Sequence, residues 1–150
     1  ALCAGPQGAL TGDPVRARPL LRAAVAEFAA LVEGDDDVGS RHNWHILAAS
    51  ALALSGDESA ALEWVERARA TLPIEQDTQS GMPLLGRTAG VYARLGRIDL
   101  LLPALTRLRT LPTAGDANWA NRIRLDPAFQ LVREDPRVQA EIESLAALER

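Results

Sequence analysis

Apolar residues recur along this chain at intervals of three and four, and no stretch alternates apolar with polar for long. That spacing is the 3.6-residue period of helices with one buried face. Leu21, Ala24, Val25, Phe28, Leu31 and Val32 mark such a face. They predict a helix from about Arg18 to Gly34. Pro19 then falls in the first turn, where a missing N–H matters least. From Asn43 to Pro112 a longer unit occurs twice: helical pattern, glycine break, second helical pattern, proline stop. The first copy runs through Trp44, Leu47, Ala48, Leu52, Gly56, Asp57, Ala61, Val65, Ala68, Leu72 and Pro73. The second runs through Leu85, Ala89, Tyr92, Gly96, Leu101, Leu105, Leu108, Leu111 and Pro112. The helices expected are about 40–55, 58–72, 84–95 and 98–110, with a loop over Pro73–Pro83 and Pro103 near the first turn of its helix. Ala61 and Ala68 let the paired backbones approach closely, and Trp64 lies beside their stripe.

After Pro112 the repeat fades into a turn and a short helix through Trp119 and Arg124. Two Asp-Pro pairs follow, Asp126-Pro127 and Asp135-Pro136. Aspartate as N-cap with proline at the first helical position is a start signal. It predicts helices over Pro127–Arg133 and Pro136–Leu148, with Val138, Ile142 and Leu145 facing inward. The organisation expected is thus 1–17 as linker or the remnant of a preceding element, 18–112 as helical hairpins and 113–150 as C-terminal capping helices. Such hairpins stack, because one alone cannot bury its apolar face.

Composition narrows the fold. The apolar fraction is 47% but aromatics are only 4%, and alanine and leucine favour close-packed helices over a sandwich of β-branched strands. The chain length of 150 residues suits one domain with a real core. The expectation is all-α, about seven helices and no sheet.

Charge and chemistry exclude more than they specify. The net charge is −4 and the sixteen basic residues are all arginine. Small clusters (Arg16, Arg18 and Arg22; Arg107 and Arg109; Arg122 and Arg124) read as solvated, ion-pairing helix faces rather than a nucleic-acid surface. The single cysteine, Cys3, permits no intrachain disulfide and no multi-cysteine metal site. No apolar run approaches the ~20 residues of a membrane span, so no membrane insertion is expected of this stretch. The first residues lack the charged start and apolar middle of a signal peptide. The start without methionine reads as a piece of a longer polypeptide. Asp35, Asp36 and Asp37 precede His42 and His45, yet their spacing matches neither a calcium loop nor a zinc signature. They read as a solvated turn favouring the positive end of the next helix. Neither histidine stands in a spacing that makes a nucleophile of Cys3. The expectation is no enzyme, no cofactor and no metal.

With these residues on the page, the chain resembles the tetratricopeptide repeats. Ala49, Gly56, Ala61, Ala68 and Pro73 fill that repeat's small-residue, turn and stop positions. Ala89, Tyr92 and Gly96 do so again, while Leu101 and Leu108 replace the two small residues of the second helix. Gly96 follows Gly56 by 40 residues, against a repeat of about 34, the excess falling in Pro73–Pro83. A narrower resemblance covers about 40–140. Leu72-Pro73-Ile74 with Asp77 and Gly81, Val91-Tyr92, Leu95-Gly96, Leu111-Pro112 and Arg124-Leu125-Asp126-Pro127 carry it, with Phe129, Leu131, Arg133, Asp135, Pro136 and Arg137. They resemble the C-terminal repeat region of large bacterial signalling proteins. Those place it after a serine/threonine kinase, winged-helix or adenylate cyclase domain, often beyond a membrane span and a TolB-like segment. Val138 stands where phenylalanine is usual.

The resemblance implies a short right-handed α-solenoid that binds a protein or peptide as a sensory or scaffolding module. It implies a place in a longer chain, on the extracytoplasmic side of a bacterial membrane, the alternative being the cytoplasm. It offers no catalytic residue. In such a superhelix the first helix of each hairpin lines the concave side. That makes Arg41, His45, Arg87 and Arg94 candidate peptide-binding residues, with Asn43 and Trp44 near the rim. Arginine holds a carboxylate in two parallel hydrogen bonds, so the expected ligand is an acidic or C-terminal peptide. The alternative is a structural or homodimerising segment without a ligand of its own.

Overall fold

A computed structural model of the protein describes residues 14–72, 78–111 and 118–149. Cys3, most of the expected N-terminal linker, part of the Pro73–Pro83 loop and the turn after Leu111 lie outside them. The described residues form seven α-helices and one 3-10 turn, with no strand among them. The helices are α1 (Pro14–Gly34), α2 (Val38–Ser55), α3 (Glu58–Thr71), α4 (Thr78–Arg94), α5 (Ile98–Arg109), α6 (Trp119–Leu125) and α7 (Pro136–Leu148). The 3-10 turn, Pro127–Phe129, lies between α6 and α7. None of the described helices is long and apolar enough to cross a membrane. The chain divides into two compact units, Ala1–Thr71 and Leu72–Arg150. The division falls inside the stretch expected to be one run of hairpins.

In the first unit α2 packs on both α1 and α3. Its sequence explains that central place. Ile46, Ala48, Ala49, Ala51, Leu52 and Ala53 are all buried, more than one stripe's worth, as a helix covered on two sides requires. Asp37 caps it: the side chain accepts from the Ser40 N–H at 2.7 Å. Gly56 ends it with φ 82°. The Gly56 N–H reaches the Ala53 carbonyl at 3.1 Å and the Asp57 N–H the Leu52 carbonyl at 3.0 Å. This paired closure needs a left-handed residue, which glycine supplies without steric cost. Asp57 then caps α3 by accepting from the Ala60 N–H at 3.2 Å. Ala61, Val65 and Ala68 are fully buried, as their spacing predicts.

The second unit repeats that closure. Gly96 has φ 68°, its N–H bonds the Ala93 carbonyl at 3.0 Å, and the Arg97 N–H bonds the Tyr92 carbonyl at 3.0 Å. It joins α4 to α5 as a packed pair. Leu101, Leu105 and Leu108 of α5 are buried, so this copy packs with leucine where the first uses alanine. α7 packs on α5 and α6 through Val138, Ile142 and Leu145, all at 0% exposure. Each such burial is worth roughly 1.5–3 kcal/mol. Glu141 ties α7 to α5, accepting from Thr106 Oγ1 at 3.1 Å and Arg109 Nε at 3.3 Å.

Five expectations change. α1 starts at Pro14, so Pro14 takes the first helical position and Pro19 is the sixth residue. Leu31 is 44% exposed: α1 buries a narrow stripe on α2 alone, which steps from Phe28 to Val32. α4 starts at Thr78, absorbing half of the expected loop, with Pro83 as its sixth residue. Pro103 is likewise sixth in α5. At that depth a proline loses the bond to the helix's second carbonyl and crowds that carbonyl, a cost that these helices carry rather than ending there. The helix expected over Pro127–Arg133 shrinks to a 3-10 turn over Pro127–Phe129, followed by irregular turns up to the Asp135 cap of α7.

Candidate functional site

The candidate residues fall in both units: Arg41, Asn43, Trp44 and His45 on α2, Arg87 and Arg94 on α4. On α2 the helical period turns neighbouring residues to different sides. Trp44 faces α1, stacked on Phe28 with ring centroids 6.2 Å apart. Its Nε1–H donates to the Asp35 carboxylate at 3.0 Å. The acidic turn is thus spent locally, Asp35 also accepting from the Asp37 N–H at 2.9 Å. Trp44 is a packing residue at the α1–α2 corner rather than a rim residue.

The histidines face α3. His42 is buried, and its Nδ1 lies 2.8 Å from the Ala68 carbonyl. Since a carbonyl only accepts, Nδ1 carries the proton there. His45 Nδ1 lies 3.4 Å from Thr71 Oγ1, which itself donates to the Arg67 carbonyl at 2.9 Å. Both contacts join the start of α2 to the end of α3, as the antiparallel hairpin requires. The His45 ring also meets Trp64, centroid to centroid 5.5 Å, and the Arg67 guanidinium covers Trp64 at 5.0 Å.

Burial is the first cause that pushes the His45 pKa below 6.5. The Arg41 charge lowers it further, the Arg41 carbonyl opposes, and the Arg67 charge adds a smaller lowering. His45 is therefore a neutral ring near neutral pH. At this end of the hairpin Arg41, Trp64 and Arg67 gather around the buried His45. Trp64 and Arg67 escaped the sequence reading of the site because they lie on the second helix. Their signal was in the antiparallel pairing of the hairpin, in which residues at similar distances either side of the Gly56–Asp57 turn meet. Among the described residues no three His, Cys, Asp or Glu side chains gather as a metal site.

On α4, Arg87 is exposed and Arg94 half-buried. The Arg94 Nε is buried without a hydrogen-bond partner, and no described carboxylate lies within ion-pairing distance of its guanidinium. Burial lowers the Arg94 pKa, and the Asp126 charge counters it. Arg94 remains a cation, since guanidinium titrates far above neutrality. Its surroundings follow from two glycines one turn apart. Gly86 admits the Trp119 indole directly against the α4 backbone, and Gly90 faces the Ala128 methyl and the Arg94 guanidinium. Trp119 is 6% exposed, with Arg122 stacked on its ring at 4.4 Å, a cation–π contact worth about 0.5–2 kcal/mol.

The α6 end and the 3-10 turn thus lie across α4 beside Arg94. Asp126 caps the turn, accepting from the Ala128 N–H at 2.8 Å. Arg133 donates to the Asp126 carbonyl at 2.8 Å. Asp135 caps α7 at 2.9 Å and pairs with Arg137. The sequence pattern Leu-Asp-Pro…Arg-x-Asp-Pro-Arg is, in its aspartates and prolines, a double helix-start device. No family model, curated protein or solved structure shows a significant match to the chain.

Proposed function

We propose that this chain is a non-catalytic protein- or peptide-interaction module of the tetratricopeptide type, a short right-handed α-solenoid with C-terminal capping helices. Its setting in this reading is a larger bacterial signalling protein, where it acts as a sensor or scaffold. The observation that carries the proposal is the repeated hairpin closure. Gly56 and Gly96 adopt the same left-handed conformation and close their hairpins through the same pair of backbone bonds. In this reading the first helix of each hairpin, α2 in one unit and α4 in the other, is the ligand-facing one. Arg41, Arg87 and Arg94 supply the cations, which fit an acidic or C-terminal peptide. His45 lies one turn from Arg41 on the same side, while Asn43 lies on another side of α2 and Trp44 packs on α1.

Each hairpin offers only one ligand-facing helix, so affinity is on the order of micromolar or weaker. The test is titration calorimetry on a partner recovered by pull-down. Arg41→Ala with Arg87→Ala should weaken binding, while Arg16→Ala with Arg107→Ala should not. The reverse outcome ends the assignment of the first helices. A concentration-independent dimer without peptide affinity would make the chain a structural segment instead.

A further inference from the structure

Residues 125–133 hold more apolar side chains than the core uses. Ala128, Phe129 and Val132 are buried, whereas Leu125 is 79% and Leu131 76% exposed. They are the two most exposed large apolar side chains among the described residues. Single exposed leucines are ordinary. Here two bracket one turn whose conformation is fixed at both ends by the Asp126 and Asp135 caps. An anchor pair held on a fixed turn loses little further freedom when a partner covers it.

The charges around the turn are one-sided. Arg122 and Arg124 precede it with no acidic partner among the described residues. Arg94 lies beside it, and Arg133 spends a donor on the Asp126 carbonyl rather than on a carboxylate. The Asp126 carboxylate accepts from the Ala128 N–H and keeps its charge, and Glu134 follows Arg133 as an exposed acid, two acids against Arg94, Arg122, Arg124 and Arg133. Cations therefore outnumber acids at the leucines, and their complement is negative charge flanking apolar groups.

We infer that Leu125, Leu131 and the arginines around them form a docking surface for an acidic peptide segment carrying apolar side chains. The leucines take its apolar residues, and Arg124 and Arg133 take its carboxylates. This surface is built on the α6–α7 connection and does not depend on α2 and α4 being the ligand-facing helices.

The test uses the 150-residue chain and three labelled probe peptides in fluorescence anisotropy: one of glutamate and leucine, one of lysine and leucine, one of glutamate and glycine. The glutamate–leucine peptide should bind saturably and the other two should not. Leu125→Ser with Leu131→Ser should weaken it roughly tenfold, the scale of two leucines only partly covered. Both side chains are exposed, so the melting curve should not move. Arg41→Ala with Arg87→Ala should leave this binding in place, which separates failure of this surface from failure of the α2–α4 face. The inference is overturned by absence of saturable binding, by equal binding of the lysine–leucine peptide, or by tighter binding of single-stranded DNA. Sedimentation showing self-association that the leucine variant abolishes would also overturn it.

Discussion

Replacing Gly86 by alanine should destabilise the second unit, although alanine is the better helix former. A Cβ built at Gly86 would lie 2.0 Å from Trp119 Cη2, 2.3 Å from Cζ3 and 3.0 Å from Cζ2. Carbon atoms rest about 3.5–4.0 Å apart, so the overlap is roughly 1.5–2 Å. It falls on a rigid indole at 6% exposure, not on the loose end of a flexible side chain. Either α6 shifts, at the upper end of the ~1–3 kcal/mol typical of overpacking, or the ring is expelled, at about 3–5 kcal/mol. Alanine returns about 1 kcal/mol of helix propensity. The net loss is therefore about 2–4 kcal/mol. Gly90→Ala is the control, one turn along the same helix. Its Cβ would meet only the Arg94 guanidinium at 3.4 Å and the Ala128 methyl at 3.7 Å. That substitution should stabilise by up to ~1 kcal/mol. Urea unfolding followed by far-ultraviolet circular dichroism and tryptophan fluorescence measures both. Trp119→Leu should suppress part of the Gly86→Ala loss, since the two share one contact. Equal midpoints for Gly86→Ala and Gly90→Ala would refute the close approach of Trp119 to α4.

Three more outcomes are expected. Ala61→Leu should cost roughly 1–3 kcal/mol because Ala61 has no exposure, and an unmoved melting temperature would refute its register in the hairpin. Asp126→Ala should cost about 0.5–2 kcal/mol through the lost cap, read as a lower urea midpoint. The His45 pKa lies below 6.5 in the folded chain, so the unfolded state takes up the proton first. Stability should fall as pH drops through about 6.5 and level off below the folded pKa. His45→Gln should flatten that slope in urea midpoints taken across the range, and an unchanged slope would place the titration elsewhere.

Much of the architecture was legible in local signals. The three-and-four spacing of Ala61, Val65 and Ala68, or of Val138, Ile142 and Leu145, needs only a helix and one buried side. Gly56, Gly96 and the Asp-Pro pairs act within a few residues of themselves, so their turns and caps follow from sequence. Proline misled where its depth in the helix mattered: Pro83 reads as loop until the start at Thr78 makes it a sixth residue. The candidate site was less legible. Arginines and aromatics on an amphipathic helix are chosen by period alone, but what each one meets depends on a partner helix distant in sequence. Asp35 and Phe28 took Trp44 inward, Thr71 and Trp64 took His45, and the Asp126 turn came to lie beside Arg94. The same holds for Gly86, which looked like a poor helix residue and is the space that Trp119 fills. Periodicity and capping are properties of a few consecutive residues and are written in the chain. The partner of a buried ring or an orphaned guanidinium is decided by packing between segments, and only the folded structure holds it.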